Sequence, residues 1–113
     1  MKVDYAYLEG QIAEWPSRRA MIRLLKNAGL NVYVGQYSIR IEDFSHFVFQ
    51  NYGGDICEPT IDADADSIEE MKREAAIVSQ ALISAEIKHR FEIYHVSSEQ
   101  AVAYLHHDWP LDE

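Results

Sequence analysis

Cysteine is almost absent from this sequence, and the single residue, Cys57, has no second cysteine with which to form an intramolecular disulfide. Disulfides are typical of secreted proteins, so their absence favours a reducing compartment. Glycine and proline are also few, with five and three residues, and apolar residues make up 48% of the chain, which is typical of a globular protein rather than a disordered one. We therefore expect Cys57 to be a small buried apolar side chain rather than a catalytic thiol.

Long apolar runs are missing as well. No segment approaches the roughly 18 apolar residues that a membrane-spanning helix needs, and the opening Met-Lys-Val-Asp begins no secretory signal. We therefore predict a cytoplasmic protein that does not enter a membrane. A chain of 113 residues can bury one hydrophobic core without disulfide bonds, so residues 1–113 are expected to form a single domain.

Basic residues are outnumbered by acidic ones, ten against nineteen, and the formal net charge is -9. Nucleic acids and anionic membrane surfaces are bound mainly through lysine and arginine, so this charge argues against both as partners. The imbalance is uneven, because residues 1–54 sum to +1 and residues 55–113 sum to -10. The acidic surface therefore belongs to the second half of the chain.

Two segments show the period of an amphipathic helix. Residues 16–28 begin with a proline suited to a first helical turn and stop at Gly29, and residues 67–86 begin with Ser67 and Glu70, the pattern of a capping box. Two weaker segments also favour helix. One is residues 4–15, where a strand is the alternative, and the other is a short final helix that starts near residue 97 and ends before Trp109-Pro110.

Between residues 30 and 65, and again over residues 88–96, the apolar period changes to two, which is typical of strands with one buried face. The apolar members of the four strands predicted in the first stretch are Val32 and Val34; Tyr37, Ile39 and Ile41; Phe47 and Phe49; and Ile61, Ala63 and Ala65. Tyr52-Gly53-Gly54-Asp55 predicts a hairpin turn. The sequence therefore predicts an α+β two-layer sandwich, in which a single, mainly antiparallel sheet of about five strands carries two main helices on one face.

Metal motifs are incomplete in this sequence. Asp62, Asp64 and Asp66 have the spacing that opens a calcium loop, but Ser67 stands where that loop needs glycine and Arg73 where it needs a bidentate glutamate. The five histidines, none with the spacing of a zinc motif, are His46, His89, His95, His106 and His107. Because glycine-rich phosphate loops are also missing, we expect no metal and no cofactor. His89 and His95 are predicted to close the rim of the core.

The sheet face opposite the predicted helices is the candidate binding surface. The strand facing given above places eight polar and aromatic residues there: Tyr33, Arg40, His46, Asp62, Asp64, Arg90, Glu92 and Tyr94. Tyrosine and arginine carry much of the energy of protein interfaces, and carboxylates beside them favour a basic protein as partner. The competing interpretation is a plain solvated face with cross-strand ion pairs.

Two functions follow from this surface. The favoured one is a non-enzymatic protein-binding module, such as a small inhibitor or immunity protein, that engages a basic partner. The alternative is a small enzyme or ligand-binding domain that uses the histidines and carboxylates of the same face. A concave pocket where at least two of His46, His89, His95 and Asp62 converge would favour the alternative.

We also expect a homodimer. One route is charge. The first helix carries a basic stripe formed by Arg19, Arg23 and Lys26, and the second helix is predicted to expose the acidic residues Glu69, Glu70 and Glu74. The other route is backbone pairing at an open edge of the sheet, formed by the last strand of residues 30–65 or by the strand at residues 88–96.

Overall fold

One antiparallel sheet of seven strands, with two helices, forms the part of the protein that a computed structural model describes, residues 5–52 and 59–109. The elements are β1 (Ala6–Ile12), α1 (Arg18–Asn27), β2 (Val32–Val34), β3 (Ser38–Ile41), β4 (His46–Gln50), β5 (Thr60–Ala65), α2 (Ile68–Ser84), β6 (His89–His95) and β7 (Ala103–His107). The strand order is β2-β3-β4-β5-β1-β6-β7. The predicted α+β class and antiparallel sheet are confirmed, whereas the count of about five strands is too low.

Both helices pack on the same face of the sheet and close one core. α2 lies across β5, β1, β6 and β7, while α1 contacts β2 and α2. The largest side chains in this core are Phe47, Phe49 and Phe91, which are fully buried. Because side chains alternate along each strand, the residues between them point to the opposite face, which carries no described helix.

Local capping fixes where the helices begin and end. The Ser17 hydroxyl oxygen accepts the Ala20 N–H at 3.1 Å, so α1 begins after Ser17, and Pro16 precedes the cap instead of entering the first turn as predicted. Gly29 has a φ of +87° and ends α1 as predicted, because glycine adopts this conformation without steric cost. The Ser67 hydroxyl oxygen accepts the Glu70 N–H at 3.0 Å, which confirms the predicted start of α2.

The helix predicted over residues 4–15 is wrong, since residues 6–12 form β1, an interior strand of the sheet between β5 and β6. Leu8 and Ile12 fit both a helical and an alternating pattern, and long-range pairing on both sides decides for the strand. Gly10, which weakened the helix, has a packing role here. A Cβ atom at this position would lie 2.8 Å from Ile61 Cδ1 and 3.1 Å from Phe91 Cδ1, so only glycine fits without a shift of its neighbours.

The short final helix is also wrong, because residues 103–107 form the edge strand β7. Val102 and Leu105 have the spacing of a helix, but Leu105 packs against the core while Tyr104 is 62% exposed on the other side. This alternation is that of a strand with one buried face. Adjacent histidines 106 and 107 therefore point to opposite faces of the sheet.

Two sequence predictions lie outside the described residues, namely the hairpin turn at residues 53–55 and the burial of Cys57. Neither α1 nor α2 has the length and hydropathy that a membrane crossing requires. Glu74, which was predicted on the helix surface, is instead buried at 2% exposure, because it lies on the side of α2 that packs against the rest of the protein.

Candidate functional site

The face of the sheet away from the helices, called the open face below, receives all eight predicted binding residues. The cross-strand register joins one residue from each strand into a row across this face, called the central row; in sheet order it is Tyr33, Arg40, Val48, Asp62, Glu9, Glu92 and Tyr104. His46, Asp64 and Tyr94 lie in a second row together with Tyr7. Arg90 lies opposite Gln11 and His106.

The residues in the middle of the open face were not predicted from the sequence. The missing residues come from β1 and β7, which were predicted as helices, and from the buried Val48; they are Tyr7, Glu9, Gln11, Val48, Tyr104 and His106. The strand alternative for residues 4–15 was the signal that could have found the first three, since its odd-numbered residues then share one face.

Three carboxylates face one another at the centre of the sheet. Glu9 lies directly opposite Asp62 on β5 and directly opposite Glu92 on β6. Like charges in this arrangement destabilise a sheet. The exposed Glu9 carboxylate makes no hydrogen bond or ion pair with the described residues. The centre of the open face therefore carries negative charge that is only partly compensated.

Glu92 is the member of this group whose negative charge is paired with a cation, Arg90. Its side chain is 16% exposed, and one carboxylate oxygen accepts from the Arg90 guanidinium, with Nε at 3.1 Å, while the other accepts the Tyr94 hydroxyl at 3.0 Å. These bonds raise the pKa of Arg90 and of Tyr94 above their ordinary values, because the carboxylate stabilises the protonated forms. The ion pair joins residues of one strand rather than neighbouring strands.

His46 and Asp62 meet on the open face. His46 Nε2 lies 3.2 Å from Asp62 Oδ2, and Gln50 donates to the same oxygen at 3.3 Å. The two side chains are 31% and 59% exposed, so the contact is largely hydrated. The pocket on this face, of about 260 Å³, is lined by neither of them; its lining residues are Glu9, Gly10, Gln11, Thr60, Ile61, Arg90 and Glu92. His46 and Asp62 thus converge, as an enzyme would require, but they lie outside this pocket.

Tyrosines surround the carboxylates. Tyr7 and Tyr94 stack with ring centroids 5.2 Å apart and planes 9° apart. Tyr33 and Tyr104, at the two ends of the central row, are 61% and 62% exposed. The pKa of Tyr5 is raised, first by partial burial and then by its hydrogen bond to Asp64. The open face thus combines aromatic surface with negative charge.

His89 lies in the core and not at its rim, so that prediction is wrong. It is fully buried, its Nε2 lies 2.7 Å from the Ser79 hydroxyl, and its Nδ1 lies 2.9 Å from the Ile87 carbonyl oxygen. Burial lowers the pKa of His89. A serine and a histidine at this distance resemble part of a catalytic triad, but Ser79 is only 4% exposed and the pair opens to no described pocket. The contact therefore joins α2 to β6 structurally.

Metal ligands do not gather among the described residues, where no group of three His, Cys, Asp or Glu side chains has the required proximity. On the other side of the protein, the C-terminal halves of α1 and α2 border an apolar groove of about 580 Å³. The chain matches no protein-family model, no curated protein and no solved structure.

Proposed function

We propose that this protein is a cytoplasmic, non-enzymatic binding module, of the kind represented by small inhibitors and immunity proteins, and that its open face engages a basic protein. The observation that carries the proposal is the alignment of Asp62, Glu9 and Glu92 directly opposite one another on three neighbouring strands. This arrangement costs free energy in the isolated protein. A lysine or arginine supplied by a partner converts that repulsion into attraction.

The aromatic residues supply the other part of an interface. Arginine side chains stack on tyrosine rings, and tyrosine is enriched among the residues that dominate binding energy. Tyr33 and Tyr104 lie at the two ends of the central row and are 61% and 62% exposed. The stacked pair of Tyr7 and Tyr94 presents preordered aromatic surface, so little side-chain entropy is lost on binding.

The alternative, a small enzyme or ligand-binding domain, has one supporting observation, the contact between His46 and Asp62. Catalytic pairs are usually enclosed, because a water-excluded site strengthens their electrostatic interactions. The exposure of both side chains, and the position of the pocket beside rather than around them, favour the binding module.

The test compares three forms of the immobilised protein exposed to a native cell lysate at about 0.15 M salt, where surface charges are screened beyond about 8 Å. The first is the wild type. The second carries Glu9→Gln and Asp62→Asn on the open face. The third carries Glu69→Gln and Glu86→Gln, which remove the same charge from exposed positions on or next to α2.

We expect at least one basic protein to be retained by the wild type and by the helix-side variant, and to bind the open-face variant at least about tenfold more weakly, which corresponds to roughly 1.4 kcal/mol. Amide chemical shifts of the wild type, measured with that purified protein, should then change on the open face. Equal retention by all three forms, or a loss caused only by the helix-side variant, would contradict the proposal.

A further inference from the structure

The outer edge of β7 is open, because β7 ends the sheet and no described strand pairs with its other side. Exposed edges pair readily with other chains, and proteins usually block them with lysine, proline, inward-pointing charges or bulges. β7 has the sequence Ala-Tyr-Leu-His-His and therefore contains no lysine, proline or carboxylate. Its five residues pair with β6 in one register, and just before them the Val102 N–H also donates to the Ile93 carbonyl oxygen at 2.7 Å, so the regular alternation begins at Ala103.

The hydrogen bonds of β6 define which backbone groups face β7. The Ala13 N–H donates to the Lys88 carbonyl oxygen, and the Val96 N–H donates to the Tyr5 carbonyl oxygen. In an antiparallel ladder, successive residues direct their N–H and C=O groups alternately to the two neighbouring strands. The even-numbered residues of β6 therefore bond to β1, and its odd-numbered residues face β7.

The same alternation identifies the free groups on β7. Ala103, Leu105 and His107 lie opposite odd-numbered residues of β6 and direct their backbone groups toward them. Tyr104 and His106 consequently direct two N–H donors and two C=O acceptors away from the sheet. Tyr104 and His106 are both exposed residues.

We propose that β7 pairs in antiparallel orientation with β7 of a second copy of this chain, about a two-fold axis that passes beside Leu105. In this register Tyr104 lies opposite His106 of the second copy, and His106 lies opposite its Tyr104. Both are hydrogen-bonded pairs, so all four free backbone groups of each strand are satisfied by four hydrogen bonds. Leu105, which is partly buried, lies opposite its own counterpart on the helix side.

The other edge of the sheet suits a second copy less well. β2 has only three residues, and α1 packs against it. α1 has four basic residues and no acidic one. A two-fold axis at β2 would bring two such helices together, and their like charges would oppose association. α2, which packs on β7, carries charges of both signs, so the corresponding repulsion is smaller.

Proline variants test the choice of edge. Tyr104→Pro removes an outward N–H and no bond to β6, which is the position where proline is tolerated in an edge strand. Its matched control is Val34→Pro on β2. The Gly35 N–H donates to the Ser38 carbonyl oxygen, so Gly35 faces β3 and Val34 directs its N–H outward. His106→Lys is a second β7 variant that blocks the edge without proline.

The measurement is molar mass by light scattering at about 100 μM, in 0.1 M and in 1 M salt, where the Debye length falls from about 10 to 3 Å. We expect the wild type and Val34→Pro to show twice the chain mass of 13.0 kDa at both salt concentrations. Folded Tyr104→Pro and His106→Lys should show the chain mass, with circular dichroism establishing that each is folded.

The proposal does not rest on the proposed function and can fail independently. It is overturned by a monomeric wild type, by a dimer that dissociates at 1 M salt, or by assemblies larger than two, which pairing of β2 with β7 would produce. It is equally overturned if Val34→Pro dissociates the dimer. If Tyr104→Pro does not fold, His106→Lys decides alone, and a dimer of that variant contradicts the pairing.

Discussion

Glu74→Gln should make this protein more stable at neutral and alkaline pH. The Glu74 side chain is buried at 2% exposure, and its Oε1 has no hydrogen-bond partner among the described residues. Burial, and secondarily the repulsion of Glu70, raises its pKa from the ordinary 4.5 to about 7. Glutamine has nearly the same shape and no charge, so it removes the cost of ionising this group inside the protein.

The sign of the effect follows from proton linkage. Between pH 4.5 and 7 the folded state holds a proton that the unfolded state has released, so the free energy of unfolding falls as the pH rises through this range. One pKa unit corresponds to about 1.4 kcal/mol, which gives an upper limit of roughly 3 kcal/mol. We therefore expect Glu74→Gln to gain between about 1 and 3 kcal/mol at pH 8.

The assay is urea unfolding of wild type and variant at several pH values between 4 and 8. The gain should be largest at pH 8 and should approach zero near pH 4, where Glu74 is protonated in both states. Contributions of titrating groups that do not interact with Glu74 cancel in the difference between the two proteins. Glu69→Gln, an exposed change on the same helix, should stay within about 0.5 kcal/mol. A gain that does not depend on pH, or no gain, would refute the reasoning.

Four further outcomes are expected. Leu82→Ala, at a fully buried position, should lower the free energy of unfolding by about 2 to 5 kcal/mol in urea titrations. Gly10→Ala should cost about 1 to 3 kcal/mol in the same assay, because the new methyl group would meet Ile61; an unchanged value would contradict the close approach. Ser79→Ala should cost about 1 to 3 kcal/mol, since it leaves a nitrogen of buried His89 without its partner. Elemental analysis of the purified protein should find no stoichiometric zinc, and one zinc per chain would overturn the histidine assignments.

Local patterns predicted those strands whose alternation is unambiguous. Phe47 and Phe49 on β4, and Ile61 and Ala63 on β5, face the core as their spacing predicts. Odd-numbered and even-numbered residues of a strand point to opposite faces of the sheet. The eight predicted binding residues could therefore be assigned to one face without knowledge of strand order. The start of α2 was equally predictable, since the capping interaction of Ser67 involves only its near neighbours.

The remaining features depend on distant parts of the chain. β1 lies between β5 and β6 because it pairs with both of them. The pattern of residues within 6–12 alone does not predict those distant partners. The same is true of Glu9, whose importance lies in the carboxylates opposite it, and of His89, whose burial depends on Ser79 from α2. Gly10 shows that a residue unfavourable to one structure can be required by another.

The position of β1 between β5 and β6 has a consequence for how the protein folds. Leu8 pairs with Ala63 and with Ile93, both of which follow it by about half the chain or more. Contacts between such distant residues form only after a long loop of the chain has closed. The entropy lost in closing that loop slows folding. During synthesis, β1 leaves the ribosome before β5 and β6 and stays without its sheet neighbours until they have followed. The strands β2, β3 and β4 pair with strands that are near in the chain and do not need β1. We therefore expect β5, β1 and β6 to assemble after the part of the sheet formed by β2, β3 and β4.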